Sequence, residues 1–259
     1  MKITVIGSGN IGSALVNGLL HRDIAPESIT MADISRDALA AFASRGVAVT
    51  QNNVEAVQNA DIVTLCVKPY LVGQVIEGFL PALSARTLLV SVAAGVTLNQ
   101  LSQLVGKRAL FRVIPNTAMA VNRSMTCIAA ENASPEQEQA VLELFSLVGK
   151  AVRIDESLMD AATVVASCGT AFALRYLRAA TTAAVELGFR PDVAAGMIAQ
   201  TMSGAAALIA QSGGHPEQEI DKVTTPKGIT IKGLNELEHA GFSSAVMKGI
   251  LAAYSVFGK

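Results

Sequence analysis

Apolar and polar positions along the chain follow two regimes, with the change near residue 155. Before it, short apolar runs at 2–6, 28–32, 47–50, 61–67, 87–92 and 110–114 read as strands, and 14–20, 36–44, 71–80 and 98–104 read as the helices between them. The run DIVTLCV at 61–67 is almost continuously apolar, as expected of a strand covered on both faces of a parallel sheet. A further pair of strands, 125–129 and 151–154, flanks a helix opened by Ser134, Pro135 and Glu136, where Ser134 suits the cap and Pro135 the first turn. Strands alternating with helices predict a right-handed, doubly wound α/β sheet. After residue 154 the strands cease. Long runs rich in Ala, Leu and Met predict helices at 157–166, 171–187, 192–211, 217–223 and from 231 onward with a break near Gly241. The expected division is a domain at 1–155 and an all-helical domain at 156–259, whose small-residue surfaces are expected to pack against another subunit.

Composition narrows the class. With 51% hydrophobic residues, 16% charged residues and a net charge of -1, the chain lacks the concentration of Lys and Arg that a phosphate-tracking surface needs, so nucleic acid is excluded as a partner. No run of 18 or more uncharged apolar residues and no signal-peptide layout is present, and the expectation is a soluble cytoplasmic protein without a membrane span. Cys66, Cys127 and Cys168 stand far apart among apolar or small residues and read as reduced thiols; no His, Cys, Asp or Glu spacing suggests a metal.

The first strand runs into Gly7-Ser8-Gly9-Asn10-Ile11-Gly12 and then a helix, the context in which G-x-G-x-x-G binds a dinucleotide. Gly7 permits the tight turn, Gly9 the approach of a pyrophosphate, and Gly12 the close packing of helix on sheet; the free amides at the helix start attract the anion. This identifies the first domain as a Rossmann-type dinucleotide-binding domain. Asp33 ends the second strand, 21 positions beyond Gly12, where an acid takes the ribose hydroxyls of NAD. The Asp33 carboxylate would repel the extra phosphate of NADP, yet Ser35 and Arg36 could receive it if Asp33 turned away, so NADPH and NADH both stay open, with NADPH taken as the cofactor and NADH as possible. Three loops leave strands at the ligand-bearing edge of such a sheet: Val67-Lys68-Pro69, Ala93-Ala94-Gly95 and Pro115-Asn116-Thr117. Lys68 is the candidate cofactor contact and Asn116 the polar orienter.

In the helical part, residues 223–230 (VTTPKGIT) interrupt helix-forming sequence with hydroxyls, a proline and a glycine, a turn able to present amides and hydroxyls to a small carboxylate. His21, His215 and His239 sit at helix ends or in a turn and form no catalytic set; no G-x-S-x-G elbow is present. A redox reaction needing little side-chain proton chemistry fits these features.

IGSGNIG at 6–12, CVKP at 66–69, SVAAGV at 91–96, RVIPNTA at 112–118, DAATVVASCGTAFA at 160–173 and VTTPKGITIKGLNELE at 223–238, in this order, resemble pyrroline-5-carboxylate reductases along essentially the full chain. The resemblance implies a dinucleotide domain joined to a helical domain that interlocks two subunits, a substrate site at the dimer interface, and, in some members, rings of dimers. It implies hydride transfer from NADPH or NADH to a cyclic imine, giving L-proline. Thr230 would donate to the ring nitrogen as the catalytic contact, while Thr225 and the amides of Gly228, Ile229 and Thr230 would hold the carboxylate. Asn116 and the loops at Lys68 and Ala94 would frame the cofactor. Departures from the family pattern are Thr170 where proline is usual, Phe172 where tyrosine is usual, and Lys227 where glycine is usual. They leave open a reductase of a related cyclic imino acid. A β-hydroxyacid dehydrogenase shares the domain order but would need a helix-borne lysine in a context not found here, and a non-catalytic nucleotide sensor would bind cofactor without turnover.

Overall fold

A computed structural model describes residues 1–258, and the chain divides into two compact units, the first Met1–Cys168 and the second from Gly169 onward. The first unit opens with β1 (Ile3–Ile6), α1 (Asn10–Leu20), β2 (Ile29–Ala32), α2 (Arg36–Ala43), β3 (Ala48–Thr50) and the single turn α3 (Asn53–Ala56). It continues through β4 (Ile62–Leu65), α4 (Val72–Phe79), β5 (Leu88–Ser91), α5 (Leu98–Val105) and β6 (Leu110–Ile114). These six strands are parallel in the order β3-β2-β1-β4-β5-β6. The order reverses between β1 and β4, and a crevice opens there beyond the carboxyl ends of the strands.

The sheet extends beyond this series through β7 (Ser124–Glu131), α6 (Pro135–Ser146) and β8 (Gly149–Arg153). This part adds a reversal to the doubly wound sheet: β7 runs antiparallel to β6, with Ile114 opposite Cys127, and β8 is parallel to β7. The link between β6 and β7 holds only a 3-10 segment, Thr117–Val121, and is too short for the crossover that a parallel neighbour requires. Between β7 and β8 the crossover is α6, closed at its start by a reciprocal pair in which Ser134 Oγ accepts from Gln137 N and the Gln137 side chain accepts from Ser134 N.

Because successive strand residues point to opposite faces, Val5 joins a core with Leu15, Phe111 and Phe145 on one side of the sheet, while Ile6 joins Leu65, Phe79 and Leu101 on the other. Each such side chain contributes about 1.5–3 kcal/mol on full burial. Residues 156–168, expected to open the helical domain, pack instead within the first unit as a 3-10 turn (Glu156–Leu158), α7 (Met159–Ala162) and a π-helical stretch (Thr163–Cys168). Arg112 on β6, 2% exposed, explains the attachment: Nη2 meets Asp160 Oδ1 at 2.7 Å and Nη1 lies 3.5 Å from Glu156 Oε1. Glu156 Oε1 also accepts from the Leu98 amide at 2.6 Å, at the first residue of α5.

The second unit consists of α8 (Gly169–Glu186), α9 (Pro191–Ser212), α10 (Pro216–Lys222), α11 (Ile229–His239) and α12 (Phe242–Ser255). Gly188 and Gly213, both at positive φ, lie in the turns that follow α8 and α9, and Pro191 is the first residue of α9. Tyr176 and Phe242 meet edge to face at 6.3 Å. Among the described residues, Ala194 is the one buried apolar residue of this unit. By length and composition alone, the helical stretch Glu156–Glu186 and α9 are long and apolar enough to cross a membrane. Neutral polar residues such as Gln200, Thr201 and Ser203 break the apolar run of α9 without lowering its mean hydropathy below that level.

Candidate active site

The glycine loop turns the chain out of β1 at the point of strand-order reversal. Gly7 has φ +103, and a Cβ there would lie 2.5 Å from the Cys66 carbonyl oxygen, so glycine is required. A Cβ on Gly12 would lie 1.9 Å from the Gly7 oxygen, which is why α1 can sit so close to the strand. Gly9 differs from both: nothing lies within 4 Å of its Cβ position, and as N-cap of α1 it contributes no side chain to the helix amides. The first turn of α1 carries no acid. An uncapped, acid-free helix start facing open space suits a pyrophosphate, so these residues fit a dinucleotide.

A cleft of about 560 Å³ lies along this loop. Of the candidates named from the sequence, Gly7, Gly9, Asn10, Ile11, Asp33, Val67 and Lys68 line it. Thr117, from the third of the loops expected at this edge, lines it as well, as do Asn53, Leu71, Val75 and Val92, which were not singled out; Asn53 carries no local signal because it reaches the cleft only through the packing of α3 beside β2 and β3. The other candidates sit behind or beside this surface. Ser8 is fixed at both ends of its peptide, donating from N to Asp33 Oδ2 at 2.6 Å and accepting the Ser13 hydroxyl on its carbonyl at 2.7 Å. Pro69 opens the 3-10 turn that leads to α4. Ala93 is buried beneath the end of β5, while Ala94 and Gly95 are exposed there. Ser35 caps α2 through its hydroxyl, and Arg36 turns toward Gln51, donating from Nε to Oε1 at 2.9 Å.

Two side chains need a closer account. Burial pulls the Asp33 carboxyl upward, but the amides of Ser8 and Ser35 outweigh it and hold the group below its ordinary 3.8. Asp33 is therefore an anchored anion at the cleft. Asn116 is 7% exposed and directed inward: Oδ1 accepts from Ala118 N at 3.0 Å, and Nδ2 donates to the Ala166 carbonyl at 2.9 Å. These bonds order the segment that bears Thr117, which lines the cleft. Cys66 packs against the glycine loop and burial pushes its thiol up to about 12. All three cysteines are free.

In the second unit, Thr225 to Gly228 form a tight turn in which Gly228 N donates to the Thr225 carbonyl at 2.9 Å. The Gly228 amide, expected to hold a carboxylate, is thus already engaged within the loop. Lys227 occupies the left-handed region at φ +60, the position where the family has glycine. Gly228 is the N-cap of α11, and a Cβ there would lie 2.5 Å from Thr225 Oγ1. No side chain caps α11 and its first turn carries no acid, leaving the amides of Ile229 and Thr230 outward at the positive end of an 11-residue helix. Thr225, at the start of the turn, and Thr230, in the first turn of α11, are both exposed.

Sequence comparison shows the family to which the chain belongs. A family model described as pyrroline-5-carboxylate reductase dimerisation matches residues 156–258, and one described as NADP oxidoreductase, coenzyme F420-dependent, matches residues 2–95. The pyrroline-5-carboxylate reductase of Methanosarcina acetivorans is 38% identical over 257 residues, covering 97% of this chain and 95% of that one. The chain belongs to the pyrroline-5-carboxylate reductase family. Pyrroline-5-carboxylate reductase 1 of Dictyostelium discoideum is 34% identical, and there the match spans 97% of this chain but 48% of the longer relative. Among solved structures, Plasmodium falciparum pyrroline carboxylate reductase with NADP bound superposes with a TM-score of 0.90 at 26% identity, covering 99% of this chain and 97% of that one. As a pyrroline-5-carboxylate reductase the chain is an oxidoreductase of proline biosynthesis that reduces 1-pyrroline-5-carboxylate to proline with NAD(P)H.

Proposed function

We propose that the chain carries out this reduction as a cytoplasmic homodimer, with the cleft of the first unit holding NADPH or NADH and the loop at 223–230 holding the substrate that becomes L-proline. The observation that carries the reading is the pair of uncapped, acid-free helix starts, one at Gly9 with room for a pyrophosphate and one at Gly228 with Thr225 Oγ1 beside it and Thr230 in the turn that follows. The nicotinamide, when bound, supplies a hydride to the imine carbon. The chain supplies orientation and charge. The amides of Ile229 and Thr230, together with the Thr225 hydroxyl, take the carboxylate, and the Thr230 hydroxyl donates to the ring nitrogen. That donor draws electron density out of the C=N bond and makes its carbon the better hydride acceptor. Nitrogen leaves the reaction as an amine, with its proton drawn from solvent, so no histidine pair is needed.

The homodimer reading is supported by the match of residues 156–258 to a dimerisation model and by the exposed apolar side chains of the second unit, Leu174, Met197, Leu208 and Leu251 among them. Three free thiols accord with a reducing compartment. Sedimentation of the purified protein separates a dimer from a larger ring of dimers.

The test is a stopped assay with racemic pyrroline-5-carboxylate, run with NADPH and NADH in parallel and read as L-proline formed. No proline with either cofactor would overturn the reading. The departures at Thr170, Phe172 and Lys227 leave one variant of it open, a reductase of a related cyclic imino acid. A six-membered cyclic imino acid in the same assay separates that variant by its larger kcat/KM.

A further inference from the structure

We propose that Asp33 makes this chain favour NADH over NADPH, an inference that rests on reading the cleft as the nicotinamide cofactor site. Asp33 lines the cleft at the end of β2, where the ribose of the adenosine half is recognised in this fold. Its two carboxylate oxygens are pinned by two main-chain donors, Ser8 N on Oδ2 at 2.6 Å and Ser35 N on Oδ1 at 2.9 Å. Turning the carboxylate away would strip both donors. One of them, Ser8, belongs to the glycine loop itself, so the rotation that would admit a 2′-phosphate also loosens the pyrophosphate cradle.

The cation and hydroxyl next in sequence that could offset the clash already have partners away from the carboxylate. Arg36 donates from Nε to Gln51 Oε1 at 2.9 Å, and Gln51 in turn donates from Nε2 to the Ile34 carbonyl at 2.6 Å, a relay beside a hollow that Arg36 lines with Leu39, Val49 and Thr50. Ser35 Oγ accepts from Ala38 N as the cap of α2. The first turn of α2 also carries Asp37, a second anion close in sequence to Asp33. A 2′-phosphate would therefore meet a fixed carboxylate and a helix start that is already capped. Two ribose hydroxyls, by contrast, are donors to an anchored acceptor. The same carboxylate that repels one cofactor orients the other.

Binding and turnover test this separately. Titration of NADH and NADPH, followed by nicotinamide fluorescence without imine, is expected to give the wild-type protein an affinity for NADH about 10- to 100-fold above that for NADPH, the scale on which juxtaposed like charges discriminate. The kcat/KM ratio with pyrroline-5-carboxylate should lean the same way. Asp33→Ser should bring the two affinities within a few-fold of each other by weakening NADH and strengthening NADPH. Asp33→Asn, which keeps the shape and removes the charge, should move the ratio in the same direction. Arg36→Ala should change both affinities alike. Tighter binding of NADPH or equal binding in the wild-type protein would overturn the proposal, as would a ratio unmoved in both Asp33 variants or a loss confined to NADPH in Arg36→Ala. Those results leave the reductase reading standing. Failure to bind either nucleotide would instead overturn the cofactor-site reading and the proposal with it.

Discussion

The two units of this chain solve the burial problem differently. The first, Met1–Cys168, encloses its apolar residues on both faces of an eight-stranded sheet, and its largest buried side chains include Phe79, Phe111, Phe145 and an arginine, Arg112. The second shows Ala194 as its one buried apolar residue among those described, while Leu174, Met197, Leu208 and Leu251 are each about half exposed or more. A helical segment with so little interior of its own cannot offset the conformational entropy of ordering it. The contrast teaches that the stability of the chain resides in its first unit, and that the second leaves most of its apolar surface uncovered.

The largest effect that can break this contrast is on assembly. Leu208→Asp and Met197→Asp place charges on one face of α9, eleven residues apart and so about three turns along the helix. Each is expected to convert the dimer to monomer in sedimentation and to abolish proline formation, with binding of the nucleotide retained. A dimer that persists in both variants would remove the dependence of the second unit on a partner. Phe111→Ala, at a fully buried position of β6, should cost about 3–5 kcal/mol in chemical unfolding and leave the oligomer intact when folded. Asp160→Ala removes the 2.7 Å partner of buried Arg112 and should cost about 3 kcal/mol, because a charge is left in the interior with its weaker partner Glu156.

Smaller effects sharpen the comparison at the site. Thr230→Ala is expected to leave nucleotide affinity near that of the wild-type protein and to lower kcat by roughly 10²-fold, the lower end for removing one oriented donor. Equal kcat would exclude the proposed contact. At Cys66 the expected result is an absence of change. With a thiol pushed up to about 12, the thiolate is a fraction of about one in a thousand at pH 9, and that fraction grows only as pH rises toward 12. Mapping of alkylated peptides after treatment of the native protein at pH 8 should find Cys66 unmodified, with modification appearing on unfolding.

Much of the first unit was legible in the sequence because its signals are local. The apolar run at 61–67 gave β4, the fingerprint at 7–12 gave the loop and α1, and Ser134-Pro135 marked the start of α6. The helices after Gly169 also followed their punctuation by Gly188, Pro191 and Gly241. What escaped depends on partners distant in the chain. The attachment of residues 156–168 to the first unit is carried by Arg112 and Asp160, 48 positions apart, and no periodicity reports that pairing. The reversal at β7 comes from a short link whose 3-10 segment carries no hairpin signature. Asn116 reads in the sequence as a polar orienter, and its hydrogen bonds to Ala118 and Ala166, the latter 50 positions away, carry no local signal. At Gly228 the type of residue was legible, but not that its amide closes the turn on Thr225.

The most direct test of the account follows the hydride itself. Purified protein is given pyrroline-5-carboxylate and a reduced nicotinamide cofactor deuterated at both positions of its C4, and the proline formed is read by mass spectrometry and proton NMR. The account predicts L-proline carrying one deuterium, on the carbon that had been doubly bonded to nitrogen. Proline without deuterium, or cofactor bound and left unoxidised in the presence of the imine, would contradict it.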